Sequence, residues 1–476
     1  MPYFLLAINL LTFTAFSSAH AAIPLEKGVP VTVSGDIGGP GNVFSIHVPA
    51  GSRIRIDLTG ARGALFRADM EGQSSYNYNG VHCREIVWEH SAGCTLYARE
   101  ATRTIVTITG FNGKYEDAEI LASWQPYTPR TLAGFQDECG DNGIPAKLRG
   151  TYDWFREAYG TDCQGLEEIL AWQTGVVIGD PFVESDLDIS LLRFFPGISQ
   201  VFAYTSGIED ISALSGLEEL EIFMAPFQEI RDLSPLAGKK HLRIVELREN
   251  QISSAEVFSG LQSLEILGLS DNHLTTGVFK DLPELRALNI GGNPLTGALV
   301  LSETPRLRSL FSEEGFLEQI LTDDLYSLEE LFLWNNRLTD IGFISLTPAL
   351  QELDLGDNHI VDIGELPSLE FLTGLDIRNN LITDLSPLAG MALQPNPAGL
   401  RGNPVIEDGD HCPLEDAEDW IIGFCRGLLL SGDVGKSIPP GHAFRDGAGV
   451  HPEGHRFQMG VAIQVMSFDP ESGDAE

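Results

Sequence analysis

Three groups of side chains in this sequence have chemistry beyond packing: six cysteines, a scatter of histidines and 68 acidic residues. The cysteines fall in three sequence-local pairs, Cys83 with Cys94, Cys139 with Cys163 and Cys412 with Cys425. Such residues can serve as thiolate nucleophiles, zinc ligands or disulfides. An even count leaves no spare nucleophile. His82, His90 and His411 lie near cysteines, but no C-x-x-C pair anchors a zinc site. Disulfides are the remaining use. Sequence alone leaves their connectivity open. Nearest-neighbour pairing is favoured because each pair sits inside one candidate module, and each bridge would stabilise its module by about 2–4 kcal/mol.

The other catalytic signatures are missing. The sequence has no H-E-x-x-H helix, no G-x-S-x-G elbow, no P-loop and no dinucleotide fingerprint. Asp186-Leu-Asp188 and Asp408-Gly-Asp410 are only fragments of a calcium loop. Paired carboxylates recur throughout so acidic a chain, so their spacing says nothing of acid–base catalysis. His442, His451 and His455 cluster in a Gly- and Pro-rich end that does not preorganise ligands. The expectation is a protein that is not an enzyme and has no cofactor and no metal.

With 30 basic residues the formal net charge is −38. That argues against nucleic acid, which needs clustered Lys and Arg, and against a polybasic hold on anionic lipid. Phe4 to Phe16 is a short apolar run, and Ala19-His20-Ala21 follows as an A-x-A cleavage pattern. Residues 1–21 therefore read as a secretory signal peptide, although no basic residue precedes the run. No later stretch is long and apolar enough to insert in a membrane. Export makes the cysteines oxidised, and the protein is expected to be secreted or periplasmic.

What must position any binding residue is a repeat. The pattern L-x-x-L-x-L-x-x-N-x-L begins at Ile198, Leu217, Leu242, Leu264, Leu285, Leu307, Leu328, Leu350 and Leu372, with a degraded copy from Pro395 to Val405. The mean step is about 22 residues, the length of a leucine-rich repeat. In each copy L-x-L forms a short strand whose leucines point into the coil. One coil cannot bury its own leucines, so neighbours must stack into a solenoid. Asn250, Asn272, Asn293, Asn336, Asn358, Asn380 and Asn403 are expected to form a buried ladder bonding backbone groups at the turn. Ser206, Ala225 and Gly315 interrupt it. After the strand, Asp232-Leu-Ser-Pro-Leu-Ala-Gly238 and Asp384-Leu-Ser-Pro-Leu-Ala-Gly390 suit 3₁₀ turns on the convex side.

The 22-residue length and the D-[LI]-S-P-L-A-G phrase resemble the internalin type of bacterial leucine-rich repeat protein, over roughly residues 176–410. The resemblance implies a secreted or surface-displayed bacterial protein that binds other molecules through its concave strand face. Outward residues there sit at positions five, seven and eight of each repeat. Two aromatic groups stand out among carboxylates: Phe311, Phe332 and Trp334, and Phe202, Tyr204, Phe223 and Met224. Aromatics ringed by polar groups are the makeup of a binding hot spot.

Residues 22–126 alternate short β-prone runs with Gly and Pro turns, which predicts a β-sandwich. Leu25-Glu-Lys-Gly28, Phe44-Ser-Ile-His-Val-Pro-Ala-Gly51, the Cys83 and Cys94 pair and Thr104-Ile-Val-Thr-Ile-Thr-Gly110 resemble the bacterial pre-peptidase C-terminal domain. That family accompanies secreted enzymes and adhesins and has no catalytic residues of its own. Its acidic Asp-Ala-Asp-Leu-Tyr phrase is replaced here by Gly63-Ala-Leu-Phe-Arg67, so no metal site carries over.

The expected architecture is multi-domain. An all-β sandwich precedes an α/β leucine-rich repeat solenoid of short parallel strands with a 3₁₀ or irregular convex side, and helical, disulfide-stapled caps flank the solenoid. The segments are the signal peptide (1–21), sandwich (22–126), helical cap (127–175), solenoid (176–410), C-terminal cap (411–427) and poorly ordered tail (428–476). Helices are expected at Ile144–Tyr159, Cys163–Trp172 and between Cys412 and Cys425. The expected function is recognition of an extracellular protein or glycan ligand. The alternative is an accessory subunit or inhibitor of a secreted hydrolase.

Overall fold

The computed structural model describes residues 23–407, apart from breaks at 30, 36–41, 60–63, 71–82, 88–90, 99–100, 111–114, 142, 180–185, 205–206, 324, 389–390 and 392–396. The signal peptide, the C-terminal cap with Cys412 and Cys425, and the histidine-bearing tail lie outside the described residues, as do the side chains of Cys83 and Cys94. The chain divides into two units, one ending at Tyr127 and the other beginning at Thr128.

Among the described residues the first unit has nine strands: β1 (Ile23–Pro24), β2 (Val31–Gly35), β3 (Asn42–Val48), β4 (Ser52–Thr59), β5 (Ala64–Met70), β6 (Cys83–Val87), β7 (Ser91–Ala98), β8 (Thr102–Gly110) and β9 (Tyr115–Pro126). They form one sheet in the order β1-β3-β8-β5-β6 and another in the order β2-β9-β4-β7. Alternation does the sorting. In β4, Ser52, Ile54, Ile56 and Leu58 are buried while the residues between them are half-buried, the period of two that a sheet with one apolar face requires. Phe44, Ile46 and Val106 from the first sheet and Ile54, Ile56, Leu96 and Ile120 from the second share one core.

The second unit opens with three helices, α1 (Phe135–Gly140), α2 (Ala146–Tyr159) and α3 (Cys163–Leu170). The short α1 has no counterpart in the sequence reading. Asp162 caps α3 by accepting from the Gly165 amide at 2.9 Å. A disulfide joins Cys139 at the end of α1 to Cys163 at the start of α3. Phe135 packs edge-on against Phe195 and Phe194, which joins the helices to the apolar core of the coils that follow.

Those coils carry a ten-stranded parallel sheet. Its strands are β10 (Gly175–Ile178), β11 (Gln200–Ala203), β12 (Ile222–Met224), β13 (Ile244–Glu246), β14 (Ile266–Gly268), β16 (Ala287–Asn289), β18 (Ser309–Phe311), β20 (Glu330–Phe332), β21 (Glu352–Asp354) and β22 (Gly374–Asp376). On the opposite side of three central coils run β15 (Gly277–Lys280), β17 (Thr296–Ser302) and β19 (Phe316–Thr322), a second parallel sheet. There the expectation of 3₁₀ turns fails, and the reason is local. Where 3₁₀ turns do form, an Asp side chain usually opens them: Asp210, Asp232, Asp340, Asp362 and Asp384 each accept from the amide two residues on, at 2.7 to 2.8 Å. The three exceptions have Thr276, Gly297 and Gln319 at that place, followed by β-prone runs that bury Phe279, Leu299, Leu301 and Ile320.

The register also corrects the alignment of the early repeats. Phe223 pairs with Val245, a core position, so the second coil starts at Leu220 rather than Leu217. The steps from Ile198 to Leu220 and from Leu220 to Leu242 are then both 22 residues. Ala225 consequently lies inside the coil, and Gln228 occupies the ladder position. Its Oε1 accepts from the Ile208 amide at 2.8 Å and its Nε2 donates to the Pro226 carbonyl at 2.9 Å.

Asn250 shows what each asparagine does. Its Oδ1 accepts from the Ile230 amide of the preceding coil, and its Nδ2 donates to the carbonyls of Ala225 and Leu247. The same bonding recurs at Asn272, Asn293, Asn336, Asn358, Asn380 and Asn403. At Gly315 no side chain is present, and the Leu295 amide donates instead to the Asn293 carbonyl.

One residue before each ladder position the backbone is left-handed: Phe227, Glu249, Asp271, Gly292, Glu314, Asn335, Asp357, Asn379 and Gly402 all have φ between 50° and 69°. Gly and Asn tolerate this region, whereas a Glu side chain is strained there. Glu314→Asn should therefore raise stability by about 0.5–1 kcal/mol, read as a higher midpoint in urea unfolding. An unchanged or lower midpoint would contradict this account of the turn.

Candidate ligand-binding face

The outward face of the ten-stranded sheet is organised in columns, because each strand pairs in register with the next. The middle column runs Val177, Phe202, Met224, Glu246, Gly268, Asn289, Phe311, Phe332, Asp354, Asp376. Beside it, two residues further along each chain, lie Tyr204, Pro226, Arg248, Ser270, Gly291, Glu313, Trp334, Gly356 and Arg378.

The structure brings Phe311, Phe332 and Trp334 together. The Phe311 and Phe332 rings stack with centroids 5.1 Å apart and planes 8° from parallel. Trp334 stands two residues beyond Phe332 and is half-buried. The second aromatic group is broken up. Phe223 points into the coil and is 0% exposed, so it cannot meet a ligand. The three-residue shift in register accounts for this: counting from Leu217 assigns a core residue to the outward face. Equal spacing of the repeats is the signal that would have placed it correctly. Phe202 and Met224 remain register partners on adjacent strands, both buried, with half-buried Tyr204 beside them. Burial pushes the Tyr204 hydroxyl up to about 12. Phe227, which the shifted alignment hid, is exposed at a left-handed turn position under the Arg248 guanidinium, 4.5 Å from its ring centre.

Between the aromatic groups the face is bare. Gly268, Ser270, Asn289 and Gly291 form a floor with little side chain, and a carboxylate folds onto each glycine. A Cβ added at Gly268 would stand 2.0 Å from Glu246 Oε2, and one at Gly291 would stand 2.6 Å from Glu313 Cδ. Burial pushes both carboxyl groups up to about 7. For Glu246 the Arg248 amide and guanidinium oppose the rise. For Glu313 the charges of Glu314 and Asp271 add to it.

Beyond the aromatics, Asp354 and Asp376 are paired neighbours on adjacent strands. Burial raises both, Asp354 to about 7, and the Asp376 charge adds to the rise at Asp354. Arg378 lies 3.6 Å from Asp376 and 3.7 Å from Asp357. Along the rim, Arg243 pairs with Glu265 and Arg308 with Glu329, each at 2.6 Å. The face thus combines stacked rings with an excess of carboxylates.

No cluster of three or more His, Cys, Asp or Glu side chains suited to a metal ion occurs among the described residues. None of their helices is long and apolar enough to cross a membrane.

Comparisons with known proteins agree with the periodicity. A family model described as "Leucine Rich repeats (2 copies)" matches residues 326–367 and 348–390, and one described as "Leucine rich repeat" matches 240–295. No curated protein matches the chain. Among solved structures the chain is similar to an internalin (inlF) from Listeria monocytogenes, at 23% identity over 50% of this chain and 69% of that one, with a TM-score of 0.40. It is also similar to internalin C2 (inlC2) of the same organism, at 18% identity over 53% of this chain and 93% of that one, TM-score 0.31. The leucine-rich repeat domain of APL1B is similar at 18% identity over 48% and 69%, TM-score 0.42.

Proposed function

We propose that this leucine-rich repeat chain is a secreted, non-enzymatic binding protein of internalin-like type that takes a protein ligand on the concave face of its repeats. The observation that supports this reading most is the Phe311–Phe332 stack with Trp334 beside it, on an outward strand face otherwise lined by carboxylates. Phe332 is already nearly covered and backs the stack, while Phe311 and Trp334 are half-buried, so a ligand covering these two gains apolar burial at little cost in side-chain entropy. Short parallel strands hold the rings at fixed spacing, so the face is preorganised.

The rest of the chain fits the same reading. Residues 1–21 act as the export signal. The two sheets of residues 22–126 serve as a sandwich accessory domain resembling the pre-peptidase C-terminal domain. The disulfide-joined helices cap the first coil.

The test is affinity capture. The purified chain and its Phe311→Ala/Trp334→Ala variant are immobilised and exposed to culture medium and host extracts, and retained proteins are identified by mass spectrometry. A partner held by the parent chain should bind at least about tenfold more weakly to the variant, since two hot-spot truncations each cost more than ~1 kcal/mol. Both proteins should show the same circular dichroism. A partner held equally by both would place the ligand elsewhere.

A further inference from the structure

Glu313 is a buried acid of this face whose carboxyl group the fold leaves only partly satisfied. It is only 8% exposed, and its Oε2 is buried with no hydrogen-bond partner. It forms no ion pair among the described residues. The arginines of its own coil and the preceding one are engaged elsewhere: Arg308 with Glu329 at 2.6 Å and Arg286 with Glu284 at 3.9 Å. An unpaired buried carboxylate is costly, and a protein that keeps one is spending stability on something other than its fold.

Its surroundings say what would complete it. On one side Gly291 leaves the space into which the carboxylate folds. On the other, the Ser312 and Glu314 amides donate to the carbonyls of Phe332 and Trp334 at 3.0 and 3.1 Å, so Glu313 runs alongside the segment carrying those two rings. Phe311 precedes it by two residues on the same outward face and stacks on Phe332. Asp271 and Glu314 add negative potential, which joins burial in holding the carboxyl proton. A buried acid with one oxygen left without a donor, aromatic faces beside it and a small-residue floor together describe a site for a flat cation.

We propose that Glu313 anchors an arginine side chain of the protein partner, with the guanidinium lying against Phe311 and Trp334 and donating to the Glu313 carboxylate. Arginine fits better than lysine because its planar fork matches a carboxylate and stacks on aromatic rings, and because it is more weakly hydrated. The chain's net charge of −38 favours the approach of a basic partner. This inference rests on the reading of the concave face as the ligand surface.

The experiment uses the full chain labelled with fluorotryptophan. The Trp334 resonance is assigned by its loss in Trp334→Phe, and the probes are acetyl-Gly-Arg-Gly-amide and its neutral citrulline isostere. The arginine probe should shift the Trp334 signal saturably, and the citrulline probe should not. Glu313→Gln should weaken arginine binding at least about tenfold while remaining folded, because it keeps the shape and removes the charge. Glu318→Gln, at an exposed position in β19, should leave binding unchanged. Equal binding of the two probes, no shift with arginine, or full affinity in Glu313→Gln would overturn the proposal. The two readings fail separately. A captured partner lost on Phe311→Ala/Trp334→Ala but bound with full affinity by Glu313→Gln sinks the arginine anchor and leaves the concave face standing.

Discussion

Asn358→Ala is expected to lower the stability of the repeat unit by about 3 kcal/mol or more. The side chain of Asn358 is buried and fully used. Its Oδ1 accepts from the Leu338 amide at 3.0 Å, and its Nδ2 donates to the carbonyls of Leu333, Leu355 and Gly356 at 2.9 to 3.1 Å. These backbone groups belong to two successive coils, and alanine would strand them where water cannot reach. Each stranded group costs roughly 1–3 kcal/mol, partly relieved by relaxation of the turn. Because coils contact only their neighbours, the damage should be local before it is global. Amide exchange at Leu338 should accelerate first, and the urea unfolding curve should lose cooperativity. A loss below ~1 kcal/mol would mean that the ladder is not a main source of cohesion between coils.

The second large effect is in pH. Stability should be greater near pH 5.5 than at pH 8. Glu246, Glu313 and Asp354 have carboxyl groups that burial pushes up to about 7, and Asp376 is raised by the same cause. In the unfolded chain such groups titrate near ~4. The folded state therefore binds more protons than the unfolded state between these limits, so stability falls as pH rises through that window and levels off above the folded values. For Glu246 and Glu313 the penalty at pH 8 is on the order of 3–4 kcal/mol each, and the neighbouring pair Asp354 and Asp376 adds to it in the same direction. The melting temperature should be at least ~5 °C higher at the lower pH. Glu246→Gln and Glu313→Gln should each flatten the dependence. The gain has an acid limit. The Ser234 amide and hydroxyl hold Asp232 below its usual range, and this turn-opening contact is lost when the carboxylate protonates. Melting temperatures that are flat, or that rise from pH 5.5 to 8, would contradict the burial of these acids.

Much of the architecture is legible in the residues, for reasons that can be located. From Leu242 onward the repeats align without ambiguity, because the leucines recur at fixed spacing and an asparagine accompanies them in every coil but the one with Gly315. Near the start two leucines three apart, Leu217 and Leu220, both satisfy the pattern, and Gln228 stands where an asparagine would decide between them. That ambiguity put Phe223 on the wrong face. The outer strands are not legible in the Asp-x-Ser phrase, which marks only the coils that carry a 3₁₀ turn; the coils at Thr276, Gly297 and Gln319 lack it.

The candidate site divides the same way. Phe311, Phe332 and Trp334 were legible because adjacent repeats at equal spacing must place equal positions side by side. Their stack is the direct result of that periodicity. The state of Glu313 was not legible. Nothing in the local sequence distinguishes it from the adjacent Glu314. One is buried on Gly291 and the other is exposed at a left-handed turn, and the difference comes from a glycine on a neighbouring coil, 22 residues away.

The repeat, the direction of its leucines, the positions of its asparagines and the excess of acid are written in the residues alone, because they follow from local periodicity and composition. Which carboxylates leave water, which rings touch and which coils grow an outer strand emerge only when the coils pack. Those outcomes depend on what the adjacent coil presents, and a hydrogen bond or a desolvated charge is settled between coils rather than within one.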